Sequence, residues 1–544
     1  MRSKTLAAAL AALSLPVAAL AQQASAPEFK PEAFRSHVAF LADDLLLGRN
    51  AGEPGYDIAA RYVATRFEGL GLKPAGTNGG WYQQIPFVTY KVGETPARLT
   101  IGGRTFTNGK EFVTGASPSE TSQTVEAPVV FVGYGLDAPG QGFNDYAGLD
   151  VKGKVVAMLS GLPDGTPSEM GAHLSRQKAR MAEERGAIGV VTIRTPAEQQ
   201  RRPWSVLAEN IHHSSMTWVG PNGRPHSEAP GIRFSATLDT PAAEALFAGS
   251  RTPLATVLAD SGKKGIKPKG FALRQPLKIE RQSVNERTMS PNVLAMLPGS
   301  DPALANEYVL LMAHLDHVGV DEQKQGDKIH NGAMDNATGI ATMLEAARAF
   351  IESGQRPKRP ILFAAVTAEE KGLLGSQYLA KNPVVGSGKV VGVVNLDMPV
   401  LLYDFQDVIA FGAEHSTLGP IVERAGAQMG VKLSADPMPQ ENLFVRSDHY
   451  RFVQEGVPSV FLMTGFANGG EKEFTGFLKT NYHKPTDDLA QPINWQAGAK
   501  FARINYLIAR EIADAPEAPR WYADSFFGKV MAPNQQKATR ASGK

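Results

Sequence analysis

The sequence predicts an α/β protein with a mostly parallel central sheet, helices on its flanks and a smaller inserted domain. Three observations carry that prediction. Short apolar runs without alternation, Tyr308 to Ala313 (YVLLMA), Ile361 to Val366 (ILFAAV) and Val390 to Val394 (VVGVV), suit strands buried on both faces. Helical patterns at Ala337 to Glu352 and Leu373 to Lys381 separate them, and such alternation implies parallel pairing. At 544 residues the chain also exceeds what one core holds.

Taken in order, the first segment is a targeting signal. Arg2 and Lys4 precede an apolar run from Leu6 to Leu20, and Ala19-Leu20-Ala21 is a small-x-small cleavage site. Residues 1–21 are therefore expected to be removed, leaving an exported protein, periplasmic or secreted. The apolar run is shorter than the roughly 20 residues a membrane span needs, so no membrane anchor is expected. Residues 28–124 begin with two amphipathic helices, Pro31 to Leu47 and Tyr56 to Leu72, followed by strands around Trp81 to Tyr90 and Ala97 to Phe106.

From 125 to 285 the pattern is that of a compact α/β or β-rich piece. Residues 128–134, 154–159 and 188–193 read as strands, Lys178 to Arg185 as a helix stopped by Gly186. Residues 286–515 resume the alternation of strand and helix. Residues 516–544 carry Lys529, Lys537, Arg540 and Lys544 among small polar residues and read as a basic, disordered tail.

Composition excludes several functions. The chain has no cysteine, which removes disulfides, a lipid-modified terminal Cys, thiolate metal ligands and a Cys nucleophile. Loss of Arg2 and Lys4 with the signal takes the formal charge from +2 to 0, so nucleic-acid or membrane-surface binding has no support in the totals.

The chemistry sits where the apolar runs end. His314 and Asp316, Glu369 and Glu370, and Asp397 follow the three strands, where ligands of parallel sheets gather. Asp335 and His483 add to them. Two imidazoles with several carboxylates and no thiolate suit zinc, with Mn2+ or Co2+ as substitutes. A single catalytic zinc takes three protein ligands, so the surplus points to two ions sharing a carboxylate. Successive side chains diverge on extended backbone, so one of Glu369 and Glu370 can ligate while the other stays free to take a proton.

His314-Leu-Asp316, Gly332-Ala-Met-Asp335-Asn-Ala-Thr-Gly339, Ala368-Glu369-Glu370-Lys-Gly372, Asn395-Leu-Asp397-Met and Tyr482-His483-Lys-Pro-Thr-Asp487 resemble, in order and spacing, the motifs of the co-catalytic zinc peptidases of clan MH, family M28. The resemblance implies the zinc-dependent exopeptidase fold with two Zn2+ per chain. It assigns His314 and Asp397 to one ion, Glu370 and His483 to the other, and Asp335 between them. It makes Glu369 the general base for a water held between the ions, Asp316 the residue that holds the His314 ring, and Tyr482 a hydroxyl donor to the carbonyl oxygen. It also implies a cis peptide at Asp335-Asn336. His317, His330 and His449 lie near the motifs and are read as non-ligands. Arg446-Ser447-Asp448-His449 resembles a family segment bordering the site; Asp448 either lines the pocket or holds the loop, and Asp487 either orients His483 or opens the next turn.

Phe131-Val-Gly-Tyr-Gly135, Asp145 to Val156 and Lys178 to Ala187 resemble the protease-associated (PA) domain inserted in some of these peptidases. The activity implied is exopeptidase hydrolysis of peptide substrates, with an aminopeptidase as the family's most frequent form. Carboxypeptidase is the nearest alternative. Glutaminyl cyclase on the same fold and a non-catalytic receptor are others, both disfavoured by a complete five-ligand set.

Overall fold

The computed structural model describes residues 27–540 apart from 210 and 212, and the expected signal peptide, residues 1–21, lies outside them. Two helices come first, α1 (Pro31–Leu41) and α2 (Pro54–Gly69), each with proline in the first turn, where its missing N–H is not needed. Phe34, Val38 and Leu41 form the buried stripe of α1. The helix expected to reach Leu47 stops at Leu41, because the chain then turns tightly, with Leu47, Gly48 and Arg49 at positive φ.

Strand β1 (Tyr82–Val92) leads into the second unit. That unit contains β2 (Val129–Phe131), β3 (Val155–Leu159), helix α3 (Ser168–Glu184) and β4 (Gly189–Ile193). The chain continues through β5 (Ser215–Trp218) and β6 (Phe234–Leu238). Strands β2, β3, β4 and β6 lie side by side in parallel. Strand β5 instead leaves to pair with β1. Strand β7 (Leu277–Leu297) returns the chain: its first residues pair with Arg98–Ile101 and Ser122–Ala127, its middle with β1, its end with the main sheet.

Alternation follows in the main unit: β8 (Glu307–His314), α4 (Thr338–Glu352), β9 (Ile361–Val366), α5 (Leu374–Lys381) and β10 (Lys389–Leu396). Strands β11 (Asp407–Phe411) and β12 (Ser459–Thr464) and helix α6 (Trp495–Asp514) complete it. The sheet order is β5-β1-β7-β9-β8-β10-β12-β11, with Lys432–Ser434 at the edge. Its four central strands, β9, β8, β10 and β12, are parallel, as the apolar runs predict, and the flanking β7 and β11 run antiparallel to them. Alternate residues of β8 enter different cores: Val309, Leu311 and Ala313 join α1 and α4, while Leu310 and Met312 join Leu379 of α5.

Two expectations need correction. The second core starts near Ala97 rather than 125, because Leu99, Ile101 and Phe106 belong to a hairpin paired with the start of β7. The tail after Pro516 is not disordered among its described residues, which run to 540. Trp521 and Phe527 are buried, a short helix spans Phe526–Met531, and Trp521 Nε1 donates to the Gly456 carbonyl at 2.8 Å. Trp521, Tyr522 and Phe527 supply burial that the basic residues around them obscure.

Candidate metal centre

Three parallel strands deliver the chemistry to one place. His314 ends β8, Glu369 and Glu370 follow β9, and Asp397 follows β10. Asp335 arrives on the turn before α4, where the Asp335-Asn336 peptide is cis, and His483 on a turn after the helix Gly470–Thr480. Asp335 stands between the two imidazoles, Oδ1 3.2 Å from His314 Nε2 and Oδ2 3.3 Å from His483 Nε2. Each imidazole has a second carboxylate of its own: Asp397 Oδ1 at 3.2 Å from His314, Glu370 Oε2 at 3.1 Å from His483. All five expected ligands therefore meet.

A sixth residue joins them. His317, read from the sequence as a bystander, is fully buried with Nδ1 2.7 Å from Glu370 Oε1. Donor atoms of His317, Asp335 and Glu370 form one compact trio, those of His314, Asp335 and Asp397 another. His330 lies beside Lys324 Nζ at 3.1 Å, and neither it nor the buried His449 belongs to either trio.

The surrounding contacts place these groups, and some roles differ from expectation. His314 Nδ1 donates to the backbone carbonyl of Asp316 at 3.1 Å, which leaves Nε2 free for an ion. The Asp316 carboxylate does not hold that ring; it accepts from the backbone N–H groups of Glu369 (3.0 Å) and Glu370 (3.3 Å). The loop after β9 is anchored by it. Asp487 does the same for the turn before α4, accepting from Met334 and Asp335 N–H at 2.9 and 3.0 Å, so it orients Asp335 rather than His483. Asn336 ties that turn to β10, donating to the Leu396 carbonyl at 2.9 Å and accepting from Met398 N–H at 3.2 Å. Ser447 Oγ donates to Asp397 Oδ2 at 2.6 Å and accepts from Asn395 at 2.7 Å. Asp448 is fully buried and does not line the pocket.

Beneath the site lies Arg49, which is buried. Its guanidinium donates to the carbonyls of Leu315 (3.0 Å), Asn331 (2.5 Å), Gly332 (3.1 Å) and Leu41, binding the His314 and Asp335 loops to the first turn of the chain. No motif marks Arg49, because three of its four carbonyl partners lie more than 250 positions away. Ala368, Met398, Val400 and His483 all take positive φ next to the site, a backbone state that ordinary residues hold only under constraint.

Electrostatics separates the two neighbouring glutamates. Burial, together with the nearby charges of Glu370, Asp448 and Asp397, pushes Glu369 well above the usual carboxyl range despite His314. Burial and Asp335 act the same way on Glu370, but the hydrogen bonds from His317 and His483 prevail and bring it down to about 2. Burial likewise raises Tyr482, keeping its hydroxyl protonated over the working range. Its ring stacks on His483 at 3.9 Å between centroids. Buried carboxylates at this density require cations, and imidazole with carboxylate and no thiolate is a donor set that fits zinc.

Above these residues is a pocket whose wall is apolar, formed by Met398, Met438, Phe461, Met463 and Phe474, with Glu369, Tyr482 and Arg446 on its polar side.

Several known proteins are similar to this chain. A probable zinc metalloprotease of Pyrenophora teres f. teres is 39% identical over 119 residues, 21% of this chain and 24% of that protein. Leupeptin-inactivating enzyme 1 of Streptomyces exfoliatus is 30% identical over 178 residues, 32% of this chain and 36% of that protein. The chain thus spans about a quarter and about a third of these two relatives. In fold it is similar to the aminopeptidase from Aneurinibacillus sp. strain AM-1, with a TM-score of 0.50 at 21% identity, covering 94% of this chain and 98% of that one. Residues 292–509, which include the whole ligand cluster, match the family model described as Peptidase family M28.

Proposed function

We propose that the protein is an exported di-zinc exopeptidase that releases amino-terminal residues from peptides. The observation that carries this reading is Asp335 poised between two imidazoles, each with its own second carboxylate. The name of the Aneurinibacillus relative supports the amino-terminal preference. When bound, zinc supplies the positive charge that acidifies a water and stabilises the carbonyl oxygen. Glu369, raised by burial and lining the pocket, accepts the proton of the attacking water and returns it to the leaving amine. Tyr482 offers its hydroxyl to the carbonyl oxygen as charge develops. Asp316 keeps Glu369 aimed through its backbone, and Glu370, His314, His483, Asp335 and Asp397 hold the ions.

The apolar wall accepts the side chain of the released residue, which favours leucine, phenylalanine or methionine there. The second unit is read as a PA domain that restricts access. Export rests on the charged, apolar and small-residue order of residues 1–21.

Product analysis on a leucyl peptide blocked at one end and then at the other tests the reading. Cleavage only with a free amino terminus is expected. Cleavage only with a free carboxyl terminus makes the protein a carboxypeptidase, cyclisation of glutaminyl peptides makes it a cyclase, and binding without turnover makes it a receptor. The mature protein should hold about two equivalents of zinc; a stable single equivalent overturns the bridged arrangement.

A further inference from the structure

The metal-holding and catalytic roles above all fall after residue 286, yet the second unit reaches the rim of the same pocket. Helix α3 packs against the short turns at Pro439–Glu441 and Leu443–Val445, and Glu441 and Leu443 line the pocket. Two polar contacts fix this docking: His173 Nδ1 is 2.5 Å from the Tyr450 hydroxyl, and Glu169 Oε2 is 2.8 Å from His415 Nε2. Arg176 follows His173 by three positions and so shares its face of the helix. Its guanidinium lies 5.9 Å from the centre of the Tyr450 ring. Arg446, Arg451 and Glu369 are charged groups near enough to interact with it.

Among the described residues Arg176 forms no ion pair. Its neighbours are committed: Arg446 lies 3.6 Å from Glu441, and Arg451 donates to the Gly372 carbonyl at 2.9 Å with Glu228 at 3.9 Å. A guanidinium held against an aromatic ring, near a second guanidinium and with no carboxylate in ion-pair contact, is matched to an incoming anion. A peptide substrate carries one. With its first side chain on the apolar wall and its first carbonyl beside Glu369, the rest of the chain leaves along the polar side, where Arg446 stands. Each extended residue advances about 3.3–3.6 Å, so when one or two residues follow the scissile bond the terminal carboxylate stays within roughly 7 Å of it, and in longer chains it lies farther out.

We propose that Arg176, with Arg446 beside it, binds the terminal carboxylate of short peptides, making di- and tripeptides the preferred substrate class. This rests on the peptidase reading above. The second unit then contributes a specificity residue to the site as well as a wall, and longer chains lose that contact.

The test compares kcat/KM for Leu-Gly, Leu-Gly-Gly, their carboxy-terminal amides and leucine p-nitroanilide, using the zinc-loaded protein, Arg176→Gln and Arg176→Lys. The unaltered protein should favour each free acid over its amide. Arg176→Gln should lower that acid-to-amide ratio roughly tenfold or more, as expected for loss of a charged hydrogen bond, chiefly through KM, and Arg176→Lys should restore part of it. No preference for the acids in the unaltered protein overturns the proposal, whatever the variants do. Equal losses on acid and amide overturn it too, since a merely structural role for Arg176 gives that pattern. Failure of the amino-terminal reading looks different: acetyl-Leu-Gly is cleaved and leucine p-nitroanilide is not.

Discussion

Each of the two units sets four parallel strands side by side, β9-β8-β10-β12 in one and β2-β3-β4-β6 in the other, and both sets are largely apolar and buried, with Ser235 of the outer strand β6 exposed. What differs is how the polar groups at the strand ends are used. In the second unit they satisfy one another locally. Thr195, just beyond β4, gives its N–H to Ser160 Oγ at 2.9 Å, and its hydroxyl caps the next helix by accepting from Glu198 N–H. In the main unit the backbone of these segments is satisfied by residues from elsewhere, by Asp316 for Glu369 and Glu370 and by Asp487 for Asp335. The functional side chains are thereby released to converge. A parallel sheet supplies a site only where its strand-end side chains are not needed to close their own turns.

That contrast can be broken most severely at Glu369. Glu369→Gln should reduce kcat by about 10²–10⁴ with zinc content unchanged, measured by steady-state kinetics and metal analysis. Loss of zinc in that variant would show that Glu369, not Glu370, is the ligand. Asp335→Ala comes next: with the shared carboxylate gone, zinc should fall from about two equivalents to one or none, and activity with it. Arg49→Met leaves four carbonyls without their donor beneath the site. It should cost on the order of 3 kcal/mol in urea unfolding and weaken zinc retention against a chelator, whereas Arg49→Lys should recover part of both.

A smaller effect belongs to the docking of the second unit. Burial lowers His173 to about 4, below the usual imidazole value, so between roughly pH 6.5 and 4 the unfolded state binds more protons. Stability should fall on acidification through that window, with faster amide exchange in α3, and His173→Phe should flatten this dependence. The smallest change is expected at Thr195→Val, which removes one helix cap worth about 1 kcal/mol and should leave peptide hydrolysis within twofold.

The parallel core and the ligand cluster could be read from the sequence because the information is local. A run such as ILFAAV announces a doubly buried strand, and Glu369 and Glu370 stand directly after it. The roles of His317, Ser447, Asp487 and Arg49 are not legible in the sequence, because their partners are set by tertiary placement. Nothing in the surroundings of Arg49 foretells that Leu315 and Gly332 will accept its hydrogen bonds. The resemblance gives Asp316 the ring of His314, but its side chain points to a neighbouring strand end while its backbone does that work. The start of the second core is hidden in the sequence because its first hairpin, with alternating rather than continuous apolar residues, reads as an extension of what precedes it.

Strand β7 has a consequence for folding fidelity. Its 21 residues, spanning roughly 70 Å at about 3.3 Å each, give Leu277 and Ile279 to the second core and Val293, Ala295 and Leu297 to the main one. A one-residue slip in its pairing would turn the wrong faces toward both interiors at once. The energetic penalty for misregistration is therefore doubled, and an error that begins in either unit is felt in the other. The two units should melt as one cooperative transition, and a protease that nicks β7 should release neither as a folded fragment.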